Sequence, residues 1–259
     1  MCRFAAYLGP DIKLEQFLTQ PEHSLLVQSY APRELVYATV NADGYGVGWY
    51  NDDDQPASYC SPMPIWSDPN LENLGRTLSS PLWLANVRSA TQGHSVNHSN
   101  TQPFYVDDLM FMHNGYIGQF NELIRANISS KLTPDILAGI QGTTDSEYLF
   151  ALLRQLLADN DDISIEDALA ECFNILENWL GDEVALLNIL ISDGEILHAC
   201  RHAVNHESPS LYFSNDDEKF PQAQLIASER LTSGELWQAV PEHQILTLSL
   251  NEPPELISL

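Results

Sequence analysis

Positive charge is scarce in this chain. Only 11 lysines and arginines stand against 36 aspartates and glutamates in 259 residues, a formal net charge of -25. Such a surface repels phosphate backbones and anionic membranes, which argues against nucleic-acid or membrane partners. Cysteine is equally sparse. The four, at positions 2, 60, 172 and 200, form no CxxC pair and are too few for a disulfide scaffold. No run approaches the roughly 18 continuous apolar residues of a membrane span. The first residues, Met1-Cys2-Arg3-Phe4, lack the apolar core and small-residue cleavage site of a signal peptide. The cytoplasm is therefore the expected compartment. Internal repeats, low-complexity tracts and an obvious linker are also missing, and a single domain over 1-259 is the simplest expectation. The acids are scattered, with Asp52-Asp53-Asp54 the longest run, so they suit a solvated surface better than a docking tail.

What remains is an ordinary globular chain, 44% hydrophobic and long enough to bury a large core. Phe4 to Leu8 is an apolar run ending at Gly9-Pro10 and reads as a buried strand. Asp11 can cap a short helix whose Leu14, Phe17 and Leu18 share one face. Val47 to Tyr50, Leu82 to Val87 and Leu109 to Met112 are strand-length runs. The last two are followed at once by polar residues, Arg88-Ser89-Ala90-Thr91 and His113-Asn114-Gly115. Polar groups at strand ends beside a core are common places for binding sites. The middle is helical: Asp145 to Ala158 repeats leucine at helical spacing, and a second helix starts at Ser164 and stops at Gly181. Leu186 to Ile191, Asp193-Gly194 and Ile196 to Ala199 form a hairpin signal. Further strands follow at Leu211 to Ser214, Leu225 to Ser228 and Ile245 to Leu250. Strands, then two helices, then strands predict an α+β protein.

Cys2 carries the most chemistry. With Met1 removed it presents a thiol and a free α-amine on one residue. The amine, with an ordinary pKa of about 7.7–8.0, can accept the proton of a thiol whose ordinary pKa is about 8.5. Nucleophile and base then come from a single residue. Alone, such a cysteine reads equally as a small buried hydrophobe in the first strand.

Five segments set Cys2 in a context: Met1-Cys2-Arg3, Asn41-Ala42-Asp43-Gly44-Tyr45-Gly46-Val47-Gly48-Trp49, Val87-Arg88-Ser89-Ala90-Thr91, His113-Asn114-Gly115 and Thr144-Asp145-Ser146-Glu147. In this order and spacing the chain resembles the class II glutamine amidotransferases, N-terminal nucleophile hydrolases. The resemblance implies a four-layer αββα sandwich. It implies Cys2 as nucleophile, Asn114 and Gly115 as oxyanion hole, and Arg88 and Asp145 as the grip on a γ-glutamyl head group. Ser89, Ala90 and His113 fall in the same segments and are expected to line the substrate, His113 as a positional group next to the oxyanion hole and not as a general base. The chemistry suits these types. A planar guanidinium matches an α-carboxylate, a carboxylate matches an α-ammonium, and fixed donors stabilise a tetrahedral oxyanion. Ser89 and Gln92 depart from the tryptophan and histidine of synthase-linked members, which bears on contacts at the leaving-group side. Taken singly, Arg88 also reads as a surface ion pair, Asn114-Gly115 as a hairpin turn and Asp145 as a helix N-cap.

At this length the synthase domain that usually accompanies this class is not expected. Val27-Gln28-Ser29-Tyr30-Ala31-Pro32-Arg33, Pro64-Ile65-Trp66-Ser67-Asp68 and Ala227-Ser228-Glu229 add a narrower resemblance to the ergothioneine-pathway amidohydrolases, which cleave γ-glutamyl-hercynylcysteine sulfoxide. Tyr30, Tyr45 and Trp66 are aromatic candidates for a quaternary ammonium. The alternatives are a glutaminase subunit that passes ammonia to a separate synthase, and a catalytically silent binding protein on the same fold. The implied partner is a small γ-glutamyl molecule, with no metal or organic cofactor required; a homo-oligomer is compatible with this reading. Cys200, His202 and His206 lack a fourth ligand and do not make a convincing zinc site. A form of the protein shown by mass to retain Met1 is expected to release no glutamate, because the amine is then an amide. Full activity in that form would contradict the expectation.

Overall fold

The computed structural model describes residues 2–35, 39–90, 95–250 and 252–259. Met1, Thr91 and Gln92, all drawn on above, lie outside the described residues. In chain order the first half forms β1 (Arg3–Lys13), α1 (Leu14–Leu18), α2 (Leu25–Tyr30), β2 (Tyr45–Tyr50), β3 (Pro56–Ser61), α3 (Leu71–Thr77), β4 (Ser79–Val87), β5 (Phe104–Val106) and β6 (Leu109–Ile117). The helices α4 (Arg125–Lys131), α5 (Pro134–Ala138), α6 (Asp145–Asp159) and α7 (Ile165–Leu180) follow. The chain ends with β7 (Ala185–Ser192), β8 (Ile196–Arg201), β9 (Ala203–Val204), β10 (Tyr212–Asp217), β11 (Phe220–Ala227), β12 (Trp237–Ala239), β13 (Gln244–Ser249) and β14 (Glu255–Ser258).

Two antiparallel sheets result. One runs β12-β10-β11-β1-β4-β2-β3 and the other β14-β13-β8-β7-β6-β5, with β9 beside β7. Because successive strand side chains point to opposite faces, each strand feeds two cores. Phe4, Ala6 and Leu8 of β1 meet Leu82 and Leu84 of β4 and, across the gap, Met110, Met112, Leu190, Leu246 and Leu248 of the other sheet. The alternate residues Ala5 and Tyr7 pack with Trp83, Ala85 and Val87 against α1 and α2 through Leu14, Phe17, Leu18 and Leu25. On the far side, Phe111, Leu187, Ile189 and Ile191 pack against Leu149, Leu152, Leu153, Leu169, Phe173 and Leu176 of α6 and α7. Three cores separate four layers, αββα, the architecture that the resemblance implies. A strand buried on both faces reads as an unbroken apolar run, which is why β1, β4, β6 and β7 were visible in the sequence.

Two expectations change in detail. The first helix begins after Lys13, not at Asp11, because β1 runs on through an irregularity between Leu8 and Ile12 and consumes Asp11. His113-Asn114-Gly115 does not follow a strand but lies inside β6, paired with Ile189, Asn188 and Leu187 of β7. Asn114-Gly115 is therefore no hairpin turn. The two long helices begin where expected, with Thr144 and Ser164 accepting from the backbone N–H of Glu147 and Asp167.

Cys200 sits fully buried in the helix-side core, and burial pushes its thiol well above the usual range. His202 stacks on Phe173 with ring centroids 4.8 Å apart, and its Nδ1 lies 2.9 Å from Nδ1 of His243. Burial first, and His243 second, lower its pKa from 6.5 to about 4. His202 is thus neutral in the folded protein at neutral pH, despite Glu177 Oε1 at 3.4 Å. A depressed histidine pKa means that the unfolded chain takes up the proton first, so stability falls as pH drops from about 6.5 towards 4. His202→Gln is expected to flatten that part of the curve in denaturant titrations, and an unchanged slope would contradict this. Leu84→Ala, between the sheets, is expected to cost about 2–5 kcal/mol in the same measurement.

Candidate active site

The register gathers the site at one end of the sandwich. Arg3 of β1 and Tyr45 of β2 both pair with Val87 of β4, so Cys2, Gly44 and Arg88 lie side by side just beyond these pairs. Ala5 pairs with Ala227 on the other side of β1, which brings Ser228 to the same end. Cys2 is partly exposed, and its Sγ lies 3.8 Å from the Ser89 carbonyl. Its own carbonyl accepts from Arg3 Nε at 2.7 Å.

Arg88 is buried at the end of β4. Its backbone N–H donates to Gly44 O at 2.8 Å, and its carbonyl accepts from Asp43 N at 2.9 Å. The turn before β2 thereby locks the arginine in place. Gly44 allows this at φ +113°, a conformation that side chains rarely adopt. Nη1 donates to Asp43 O at 3.4 Å and to Ser95 O at 3.3 Å. No other guanidinium N–H of Arg88 has a hydrogen-bond partner among the described residues. Burial lowers the Arg88 pKa, while Cys2, Asp43 and Asp145 nearby work against that shift. A guanidinium remains charged under such a shift, so the site holds a fixed cation beside the thiol.

Asp145 opens α6. Its Oδ2 accepts from Ile117 N at 2.9 Å, and its Oδ1 from Ser146 N at 2.8 Å. A carboxylate offers about four lone-pair positions, so two backbone donors orient it and leave acceptor capacity for an ammonium. The N-cap reading of Asp145 fails because Thr144 is the cap.

Alternation along β6 divides its polar triplet. Asn114 points between the sheets, where its Nδ2 donates to Ser228 Oγ at 3.3 Å. His113 points the other way, into the helix layer. It is fully enclosed, with Nδ1 2.9 Å from Ser146 Oγ and Nε2 2.8 Å from Leu186 O. Burial lowers its pKa despite Asp145. Expected to line the substrate, His113 instead braces the start of α6, and with it Asp145, against β6 and β7. Gly115 has no room for a side chain, since a Cβ there would run into the Leu186 carbonyl and stand 2.6 Å from His113 Nε2. Ala90 is also committed, its N–H donating to Asp43 Oδ2 at 2.8 Å, while Ser89 meets Cys2 through its carbonyl.

The sequence reading passed over Asp43, Arg3 and Ser228 as site components. All three stand in the motifs above, Ser228 within Ala227-Ser228-Glu229, but only the fold shows what they touch. Ser228 is 114 residues from Asn114, and spacing carries no trace of that contact.

A thiol at the start of a central strand, a buried arginine, a helix-opening carboxylate and a strand asparagine on an αββα sandwich define an amidohydrolase of the N-terminal nucleophile type. The chain belongs to the class II glutamine amidotransferases, whose family model matches residues 19–253. It is 31% identical to the probable glutamine amidotransferase DUG3 of Saccharomyces cerevisiae, over 96% of this chain and 82% of that protein. It is 29% identical to the γ-glutamyl-hercynylcysteine sulfoxide hydrolase of Mycolicibacterium smegmatis, over 73% of this chain and 83% of that one. Among solved structures, a glutamine aminotransferase class-II domain protein from Silicibacter pomeroyi superposes with a TM-score of 0.72 at 26% identity, covering 99% of both chains. The glutamine PRPP amidotransferase of B. subtilis shares the fold, with a TM-score of 0.66 at 14% identity over 99% of this chain and 49% of its own.

Gly115→Ala is expected to remove activity and lower the melting temperature, because the intruding atom meets backbone. Wild-type activity in that variant would contradict the packing described.

Proposed function

We propose that the protein hydrolyses a γ-glutamyl amide through a thioester on Cys2, and that its substrate is γ-glutamyl-hercynylcysteine sulfoxide, released as glutamate and hercynylcysteine sulfoxide. The observation that carries the hydrolytic reading is the convergence of Cys2, Arg88 and Asp145. Cys2 and Asp145 both lie close enough to act electrostatically on the Arg88 guanidinium. An amino-acid head group placed between Arg88 and Asp145 extends its γ-carbonyl towards Cys2.

In this mechanism Arg88 binds the α-carboxylate and Asp145 the α-ammonium. The α-amine of Cys2, freed by loss of Met1, takes the thiol proton. Sulfur attacks the γ-carbonyl, forming a C–S bond and an oxyanion that the Asn114 amide and the Gly115 N–H stabilise. The ammonium of Cys2 protonates the leaving nitrogen as the C–N bond breaks. Water, deprotonated by the same amine, then attacks the thioester, releases glutamate and restores the thiol. Every proton and bond is accounted for by the chain and water.

The choice of leaving group is supported by the names of the mycobacterial relatives. One from Mycobacterium tuberculosis reaches 38% identity over 45% of this chain. Tyr30 and Trp66 form an exposed edge-to-face pair, 6.2 Å between centroids, of the kind that can receive a quaternary ammonium. Tyr45 is buried, with its hydroxyl on Asp68, and is part of the core. The yeast relative supports a second reading, glutamine hydrolysis with ammonia passed to a partner.

Glutamate release from the sulfoxide and from glutamine, compared on protein lacking Met1, separates the two. Preference for the sulfoxide, abolished in Cys2→Ala, is expected; preference for glutamine would overturn the substrate assignment. Arg88→Lys is expected to raise KM by about tenfold or more, since a point charge cannot replace a two-pronged contact.

A further inference from the structure

Two adjacent residues just beyond β11 take no part in the chemistry above, yet each holds one half of it. Glu229 is buried, with only 1% of its side chain exposed, and gathers four donors. They are Arg3 Nη1 at 3.4 Å, His23 Nε2 at 2.7 Å, Arg33 N at 2.8 Å and Glu34 N at 3.0 Å. Burial alone would raise the Glu229 pKa, but these partners outweigh it and hold the carboxyl below its usual range. Arg3 is equally buried, and its Nε donates to the Cys2 carbonyl at 2.7 Å. A guanidinium is planar, so holding Nη1 at Glu229 constrains the direction of Nε and, through it, the Cys2 carbonyl. The thiol and α-amine are carried by the Cα next to that carbonyl, so holding the carbonyl narrows the positions open to them.

Ser228, just after β11 in the same sheet as β1, performs the matching task for Asn114 of the other sheet. Its Oγ accepts from Phe4 N at 3.1 Å and from Asn114 Nδ2 at 3.3 Å. One N–H of the Asn114 amide is thereby tied to the strand that carries the nucleophile. Ser228 takes one N–H of that amide, which leaves the second for a developing oxyanion in the proposed mechanism. Ser228 N also donates to Phe4 O at 2.9 Å, so the serine is bonded to β1 through backbone and side chain.

The geometry points to Ser228 and Glu229 as positioning residues that set the nucleophile in register with its oxyanion hole. This inference rests on the amidohydrolase reading above. Neither residue touches the substrate: Glu229 acts through Arg3 on Cys2, and Ser228 acts through Asn114. The grip on the glutamyl head group, formed by Arg88 just after β4 and Asp145 at the start of α6, is built from other elements and is expected to stay in place when this pair is altered. Loss of register therefore appears in kcat and leaves KM in place.

The test measures glutamate release per folded protein, with the folded fraction taken from circular dichroism. Glu229→Gln leaves Arg3 as a buried cation without its carboxylate, so Arg3→Gln combined with Glu229→Gln is made beside it to keep the core neutral. The double variant is expected to lose about 100-fold in kcat with KM within about threefold of wild type. Ser228→Ala is expected to lose about tenfold in kcat, again with KM held. A kcat within about twofold of wild type in both variants would overturn the inference, as would a KM that rises in step with the loss. Wild-type protein without any Cys2-dependent glutamate release would instead overturn the amidohydrolase reading itself.

Discussion

Burial of both sheets on both faces is the constraint from which the rest follows. A strand in such a sheet has no solvent side, so neighbouring residues are sent to two different dry layers. In β1 this sends Phe4, Ala6 and Leu8 between the sheets and Ala5 and Tyr7 to the helices. In β6 it sends Asn114 towards Ser228 of the facing sheet and His113 towards α6. A shift of one residue in either strand would exchange these roles and place a histidine where the amide donor stands. The hydrophobic pattern therefore fixes the chemistry, because the same register that fills the cores aims the functional groups.

Charge is used sparingly inside this frame. The chain has 11 basic residues, and two of them, Arg3 and Arg88, are buried beside Cys2. Arg3 is neutralised by Glu229 and holds the Cys2 carbonyl. Arg88 is held by backbone carbonyls and lies among Cys2, Asp43 and Asp145, so its charge remains directed at the site. The Arg88 cation with the Asp145 carboxylate nearby suits a zwitterionic head group, which needs one contact of each sign.

Much of this was legible in the sequence, for physical reasons that differ by element. Doubly buried strands such as β4 and β7 advertise themselves as apolar runs, and α6 and α7 do so through leucine spacing and serine or threonine caps. Short helices such as α2, α3 and α5 carry too few turns for periodicity to register. The end of β6 was misplaced because His113-Asn114-Gly115 looks like the polar exit of a strand, when its polar groups are bonded inside the sheets. Cys2, Arg88, Asn114 and Asp145 were each visible through motif and chemistry. The bonds of Ser228 and Glu229 were not, since contacts across 114 and 226 residues leave no mark in local pattern.

The central claim is that Cys2 carries the glutamyl group during turnover. Acid quenching of the working enzyme, followed by mass analysis of the N-terminal peptide, tests it most directly. The account predicts a mass increase of one glutamyl residue on the peptide that begins with Cys2, removed by hydroxylamine as a thioester should be. Steady turnover with that peptide unmodified, or with the glutamyl group on another residue, would contradict it.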